Sequence, residues 1–393
     1  MKRAVILLGA GASVEYKTPS TKELTDAIER EVIADAWMQQ TKGDEAFRVI
    51  RDGLKNYLHQ PGIVNFEHIY HCVHELISTF ALTSGAVDEF RPLLHPFINN
   101  QSGLARDALT ALAGKMANVI FAEVSASCGK NPISLAPLTD FFGVMLGKYI
   151  TRIYTTNYDD FPLQAVGNLY TGFDSAASAK VKRFEIDSFW HKENLHSIFH
   201  LHGSVHMGFP YPETGIAIGE LQWFDDLAEA LKYSSFWGST VRRMDGSSFM
   251  RTAVITGLDK LSRLQARPLS HFYSAMARDL MFADVIFVIG SGLGDLHLNT
   301  WLHEARSRDP MPPVLFVDWW DRDFLDHARF EIDHKGLAMF HALNIHINDR
   351  YGGTKFGSGW TMSQDRTAAV WDKGFQAFLN SPNELQQVLG QLL

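Results

Sequence analysis

Apolar residues run without interruption from Ala4 to Leu8 and stop at Gly9-Ala10-Gly11-Ala12-Ser13. A short strand with no polar alternation suits the centre of a parallel sheet, where both faces are buried. Tyr149 to Tyr154, Val285 to Ile289 and Pro313 to Val317 repeat the pattern, and Ser197 to Leu201 is a shorter version of it. Ala253 to Thr256 is a weaker strand candidate. Most of these runs end in polar or glycine-rich residues, which predicts chemistry at one edge of the sheet.

Between the strands the period changes to that of helices. Ser20 with Glu23 three residues on reads as a capping box, opening a helix whose apolar face is Leu24, Ala27, Ile28 and Val32. From Ala34 to Ala136 strand-like runs vanish and helical spacing dominates, as in Leu104, Leu109, Leu112, Met116, Val119, Ile120 and Val124. Gly62 and the stretch Asn99 to Gly103 mark loops within it. Helices are also expected over Leu138 to Leu146 and His271 to Met281, while Gly203 to Phe249 reads as an irregular excursion or lid. Ser381 followed by Pro382 opens a last helix with Leu385, Val388, Leu389 and Leu392 on one face. The pattern predicts an α/β fold, a Rossmann-like parallel sheet flanked by helices, built from residues 1–33 and 137–330. A helical insertion occupies 34–136, and a C-terminal segment ending in a helix occupies 331–393.

A chain of 393 residues is long enough for this arrangement, and 46% hydrophobic with 20% charged residues describes an ordinary folded protein. Phe occurs 27 times, which predicts an aromatic-rich core. The net charge of −8 argues against a protein that coats nucleic acid. Cys72 and Cys128 stand far apart, so neither a disulfide framework nor a four-thiolate zinc site is expected, and a reducing cytoplasm is the natural compartment. No window reaches the length of a membrane span.

The strand ends carry the candidate chemistry. Gly9-Ala10-Gly11-Ala12-Ser13 has the context of a dinucleotide-binding turn, although the sixth position is Val14 where the common fingerprint has glycine. Thr155-Thr156-Asn157-Tyr158-Asp159 brings an amide and a carboxylate at alternate positions. Phe199-His200-Leu201-His202-Gly203-Ser204 ends in a histidine whose glycine neighbour frees the backbone. Gly290-Ser291-Gly292-Leu293-Gly294-Asp295 is a second glycine turn suited to ribose hydroxyls, and Asp318 suits an adenosine ribose. Any one of these is more often a loop-forming polar residue; jointly they favour a nucleotide site.

In this order, the glycine-alanine-glycine-alanine-serine turn, the Thr-Thr-Asn-Tyr-Asp element, the Leu-His-Gly-Ser element and the late glycine turn resemble Sir2-family domains. Asn65-Phe66-Glu67, Gly257-Leu258-Asp259-Lys260 and Asp295-Leu296-His297-Leu298-Asn299 resemble the bacterial anti-phage defence branch, among it the Sir2 proteins that pair with HerA-type ATPases. The resemblance spans Met1 to about Asp321 and implies a Sir2-type fold with NAD as substrate. Asn157 would position the water or the nicotinamide ribose, and His202 would be the general base. Asp159 would bind the carboxamide, while Gly9, Ala10, Gly11, Ser13, Thr156, Gly290, Ser291 and Asp318 would hold phosphates and riboses. Two departures matter. Protein-deacylating sirtuins carry an Asp-Phe-Arg element after the first glycine turn, where this chain has Tyr16-Lys17-Thr18-Pro19, and they carry a four-cysteine zinc ribbon that two cysteines cannot build.

These departures favour an NAD glycohydrolase without a metal, cleaving NAD to nicotinamide and ADP-ribose. The resemblance further implies a homo-oligomer that docks on a HerA-like hexameric ATPase and depletes NAD during infection. The alternatives are a non-catalytic module that senses NAD or ADP-ribose, and an NAD-dependent deacylase. His68, His71 and His74 suit a helix surface or core better than a metal face, and Trp223, Phe224, Trp319 and Trp320 suit core or interface.

Overall fold

The computed structural model describes residues 1–58, 64–79, 104–129, 133–174, 181–210, 219–236, 251–258, 260, 267–320, 334–347 and 352–393. Its strands are β1 Lys2–Leu8, β2 Tyr149–Thr155, β3 Val181–Lys182, β4 Ser197–His200, β5 Met207–Gly208, β6 Gln222–Phe224, β7 Ser235–Phe236 and β8 Arg251–Thr252, then β9 Val285–Ile289, β10 Val314–Val317, β11 Gly353–Phe356, β12 Trp360–Ser363 and β13 Ala368–Trp371. Among the described residues, eight strands form one sheet in the order β11-β12-β13-β10-β9-β1-β2-β4. Neighbours from β13 to β4 are parallel; β12 and β11 close the edge as an antiparallel hairpin. Fully buried Val5, Ile6, Ile153, Val285 to Ile289 and Val314 to Val317 explain why these strands read as continuous apolar runs.

The chain leaves β1 for β2 and β4 on one side, then crosses to β9 and β10 on the other. That makes the β1–β9 boundary a topological switch point, where a crevice opens at the carboxyl edge of the sheet. Register brings the ends together, since Leu8 pairs with both Thr155 and Ile289, and Thr155 pairs with His200.

The capping box is present: Ser20 accepts from the Glu23 backbone N–H and Glu23 accepts from Ser20, opening the helix Thr21–Ala34. The insertion is helical where described, with Ala36–Thr41, Gly43–Leu58, Phe66–Thr79 and Arg106–Gly129. Arg106–Gly129 buries Leu109, Leu112, Met116, Ile120, Phe121 and Val124 and packs against the other helices of the insertion and Thr21–Ala34. The loop expectations at Gly62 and Asn99 to Gly103 fall outside the described residues.

One expectation changes. Ala253 to Thr256 is not the strand: β8 is Arg251–Thr252, and Val254 makes a single bridge to Gly203. The Thr252 hydroxyl donates to the Val254 carbonyl (2.7 Å), a local bond that competes with a ladder. The C-terminal segment also holds more than its last helix, because β11, β12 and β13 extend the main sheet. Within the excursion after Gly203, β5 and β6 join β3 in a small antiparallel sheet.

Candidate active site

At the switch point the two glycine turns are packed backbone to backbone. Gly11 N–H donates to the Gly290 carbonyl (2.8 Å) and Gly9 N–H to that of Ile289 (2.9 Å). Gly290 has φ +63°, and a Cβ there would lie 2.1 Å from the Ala12 nitrogen, so only glycine allows the turns to meet. Above them lies a cavity of about 460 Å³, within the range of small-ligand sites. Its lining includes Gly9, Ala10, Ser13, Thr156, Asn157, Asp159, His202 and Ser291.

Asn157 is fixed by its own amide group. Nδ2 donates to the Gly9 carbonyl (2.8 Å) and to Ser13 Oγ (2.6 Å), and Ser13 Oγ donates to Asp159 Oδ2 (2.6 Å). With both amide hydrogens engaged, Oδ1 is left to accept a hydrogen bond from a ligand. The backbone is pinned too: Thr156 N–H donates to the Leu8 carbonyl (3.0 Å), and the Asn157 carbonyl lies 3.1 Å from His200 Nδ1. His200 is fully buried, and burial pushes its pKa down to about 4, so its neutral ring donates from Nδ1 to that carbonyl. Asp159 is buried at 3% exposure, and desolvation raises its pKa to about 6 against the Ser13 hydrogen bond.

His202 enters on the loop after β4. Gly203 follows with φ +88°, and a Cβ there would sit 1.9 Å from the Ala253 carbonyl oxygen, so glycine lets residues 253–255 run alongside. Ile255 N–H donates to the His202 carbonyl (2.7 Å). The imidazole is buried, its Nε2 has no hydrogen-bond partner, and Asp295 Oδ2 lies 3.8 Å away. Burial first and Lys260 second push its pKa down to about 3, with Asp295 opposing. A general base works best with a pKa near the operating pH; the protein instead holds a neutral imidazole of low basicity, because the ring is desolvated beside an ammonium.

Gly11 and Gly290 do not line the cavity; they support its floor by packing against each other. Asp318 does not line it either. It follows β10 as expected, but its carboxylate pairs with Lys335 Nζ (2.6 Å) and its carbonyl accepts from Gly374 N–H. Cavity residues that the motifs left without a role include Thr18, Pro19 and Ser20 from the first loop, Thr21 and Lys22 from the helix that follows it, Phe66, Glu67 and Val124 from the insertion, and Lys260. Glu67 and Lys260 stood in the motifs quoted for the resemblance, and only that resemblance marks them. His206, the other neighbour of His202, is occupied: Nε2 lies 3.1 Å from Asp160, Nδ1 2.7 Å from the Phe224 carbonyl, and its ring stacks on Trp223. His68 accepts the Asn65 N–H at the start of its helix, and His74 is buried. Among the described residues, no three His, Cys, Asp or Glu side chains gather as a metal site, and no helix is long and apolar enough to cross a membrane.

No curated protein matches the chain in sequence. Among solved structures, a Sir2 homologue–NAD complex is similar at 14% identity and TM-score 0.35, covering 82% of this chain and 80% of the other. An ADP-ribose complex of a Sir2 homologue variant is similar at 13% identity and TM-score 0.34, covering 88% and 95%. Sir2Tm bound to a propionylated peptide is similar at 12% identity and TM-score 0.32, covering 88% and 94%. Residues 151–338, which carry Asn157, Asp159, His202 and Asp295, match the family model described as SIR2-like domain.

Proposed function

We propose that the cavity binds NAD and hydrolyses it to nicotinamide and ADP-ribose. The observation that carries this reading is the pairing, in one cavity, of an Asn157 side chain whose only open group is Oδ1 with a buried, neutral His202 imidazole. In the reaction the C1′–N bond breaks and its electron pair neutralises the departing pyridinium. A water oxygen bonds to C1′ of the oxocarbenium-like ribose and its proton passes to His202, then to solvent. Asn157 Oδ1 orients that water or the ribose hydroxyl, and His202 accepts the proton. Asp159 meets the carboxamide, with Thr156 beside it. Gly9, Ala10, Ser13 and Ser291 flank the phosphates and riboses, with the packed glycines beneath them.

The loss of the zinc ribbon and of the Asp-Phe-Arg element supports water as the acceptor. Resemblance in motif order extends the proposal to NAD depletion in anti-phage defence, by a homo-oligomer regulated through a HerA-like ATPase. The test is nicotinamide release from NAD by the full chain, with and without such an ATPase. Asn157→Ala and His202→Ala should each abolish release while the fold is retained. Full release by folded His202→Ala overturns hydrolysis at this site. The low basicity of His202 favours a second reading, a module that senses NAD or ADP-ribose without turnover. Saturable NAD binding with no release under either condition would establish it.

A further inference from the structure

Beside His202 the cavity wall carries a cluster of charges from three separate stretches of chain. Lys260 Nζ lies 3.0 Å from Asp295 Oδ1 and 3.6 Å from Glu67 Oε1. Asp295 Oδ2 in turn lies 3.8 Å from His202 Nε2, and all four residues line the cavity. Glu67 belongs to the insertion helix Phe66–Thr79, Lys260 to the stretch after the excursion, and Asp295 to the second glycine turn.

Asp295 occupies the N-cap position of the helix Leu296–Arg306, where an aspartate ordinarily caps the first N–H groups. Here its side chain makes no such bond. The carboxylate is turned to Lys260 and His202 instead, giving up a contact worth about 1 kcal/mol. A cap forgone beside a buried, unpartnered imidazole points to a task at the site.

We propose that Asp295, held by Lys260 and through it by Glu67, is the positioning carboxylate of His202, and that the helical insertion thereby supports the reacting centre. The inference rests on the reading of the cavity as an NAD-cleaving site. When His202 takes the proton of the attacking water, the imidazolium forms in a desolvated place. Asp295 then lies next to Nε2 to offset the charge and to fix the ring, and a bond too long in the resting site shortens as the ring becomes charged. Lys260 keeps that carboxylate ionised: burial raises the Asp295 pKa, but the charges around it, the Lys260 ammonium among them, hold it below the ordinary range. Lys260 depresses His202 directly, so its ammonium needs Glu67 as well as Asp295 to balance it. His297, the other titratable group facing His202, lies 3.2 Å from the Tyr273 hydroxyl.

In the resting protein the arrangement places the ring proton on Nε2, toward Asp295, and leaves Nδ1 as the lone-pair nitrogen. The experiment combines nicotinamide release with 15N NMR of histidine-labelled full chain at pH 7.5, His202 being assigned by its loss in His202→Ala. The wild-type ring should hold one tautomer, and Asp295→Ala should mix the two. kcat should fall on the order of 10²-fold, the lower end of what a positioned acid–base group contributes. Lys260→Arg should keep most activity, while Lys260→Met should fall as Asp295→Ala does. An Asp295→Ala protein that binds NAD and keeps the wild-type tautomer and kcat overturns the inference. Should the wild type release no nicotinamide, the hydrolase reading fails separately, and the tautomer comparison alone decides whether Asp295 positions His202.

Discussion

Asp159→Asn should make the protein more stable in neutral and basic solution while impairing its site. The carboxyl is buried, with a pKa near 6 against an ordinary 3.8, and desolvation is the first cause. Below pH 4 both folded and unfolded chains carry the proton, so burial of this group adds no ionisation penalty. Between pH 4 and 6 the unfolded chain ionises first and stability is lost; above 6 the loss is complete, at about 3 kcal/mol for two units. Asparagine removes that penalty. Its carbonyl can still accept from Ser13, but its amide then faces the Phe161 N–H, whose 3.4 Å bond is lost at about 1 kcal/mol. The net gain is about 1–2 kcal/mol at pH 8, reversing to a loss of about 1 kcal/mol at pH 4. Urea denaturation of both proteins from pH 4 to 8, followed by circular dichroism, measures the difference. A difference between them that does not change with pH refutes the reasoning, because the effect must follow the ionisation of one carboxyl. The same substitution should weaken NAD binding, since a group retained at such a cost faces the cavity.

Three further outcomes follow from the geometry. Gly290→Ala should destabilise by about 3 kcal/mol or more, because its Cβ would force the glycine turns apart at a left-handed position; Gly292→Ala, with open space around it, should stay within about 0.5 kcal/mol. Thermal melts of the pair compare them. Nicotinamide release should fall as pH drops through about 6, where Asp159 protonates, with no loss from His202 until near pH 3; a kcat profile in which Asp159→Asn keeps the same limb would refute the assignment. Glu15→Ala should cost about 1–2 kcal/mol and speed hydrogen exchange in Phe375–Leu379, because the Glu15 carboxylate accepts the Phe375 and Gln376 N–H groups that open that helix.

The central sheet was legible because burial on both faces writes itself as an unbroken apolar run. The strands β11 and β12 escaped for the opposite reason. β11 is mostly exposed, and β12 alternates buried Trp360 and Met362 with buried Thr361 and Ser363, so neither carries a continuous apolar signal. Asn157, Asp159, Ser13 and His202 stood out by position at strand ends, and the fold brings them to one cavity. Asp318 shares that position, yet strand-end placement does not fix the direction of a side chain, and Lys335 claims it. His200 carried no signal of its role, since its contact is with a backbone carbonyl set by the β2–β4 register. The low basicity of His202 was equally hidden, because it comes from burial by residues distant in sequence.

Division of the chain into sheet, insertion and tail does not divide the chemistry the same way. Residues 13 to 16 touch two of these parts, the sheet and the tail: Ser13 bonds Asp159, Glu15 caps the tail helix, and the Tyr16 ring packs on Phe161 at 5.3 Å and Phe375 at 6.5 Å. The insertion enters from the other side through Phe66, Glu67 and Val124. A displacement of the insertion helix by a few ångströms separates Glu67 from Lys260, leaves the ammonium to Asp295 alone and changes the charge that faces His202. Coulomb energy between such partly buried groups is about 4 kcal/mol at 4 Å, so small shifts carry large consequences for a buried imidazole. A partner that binds the insertion would therefore have a physical route to His202 without contacting it, and Glu67→Gln should remove that route while leaving the glycine turns, Asn157 and His202 in place.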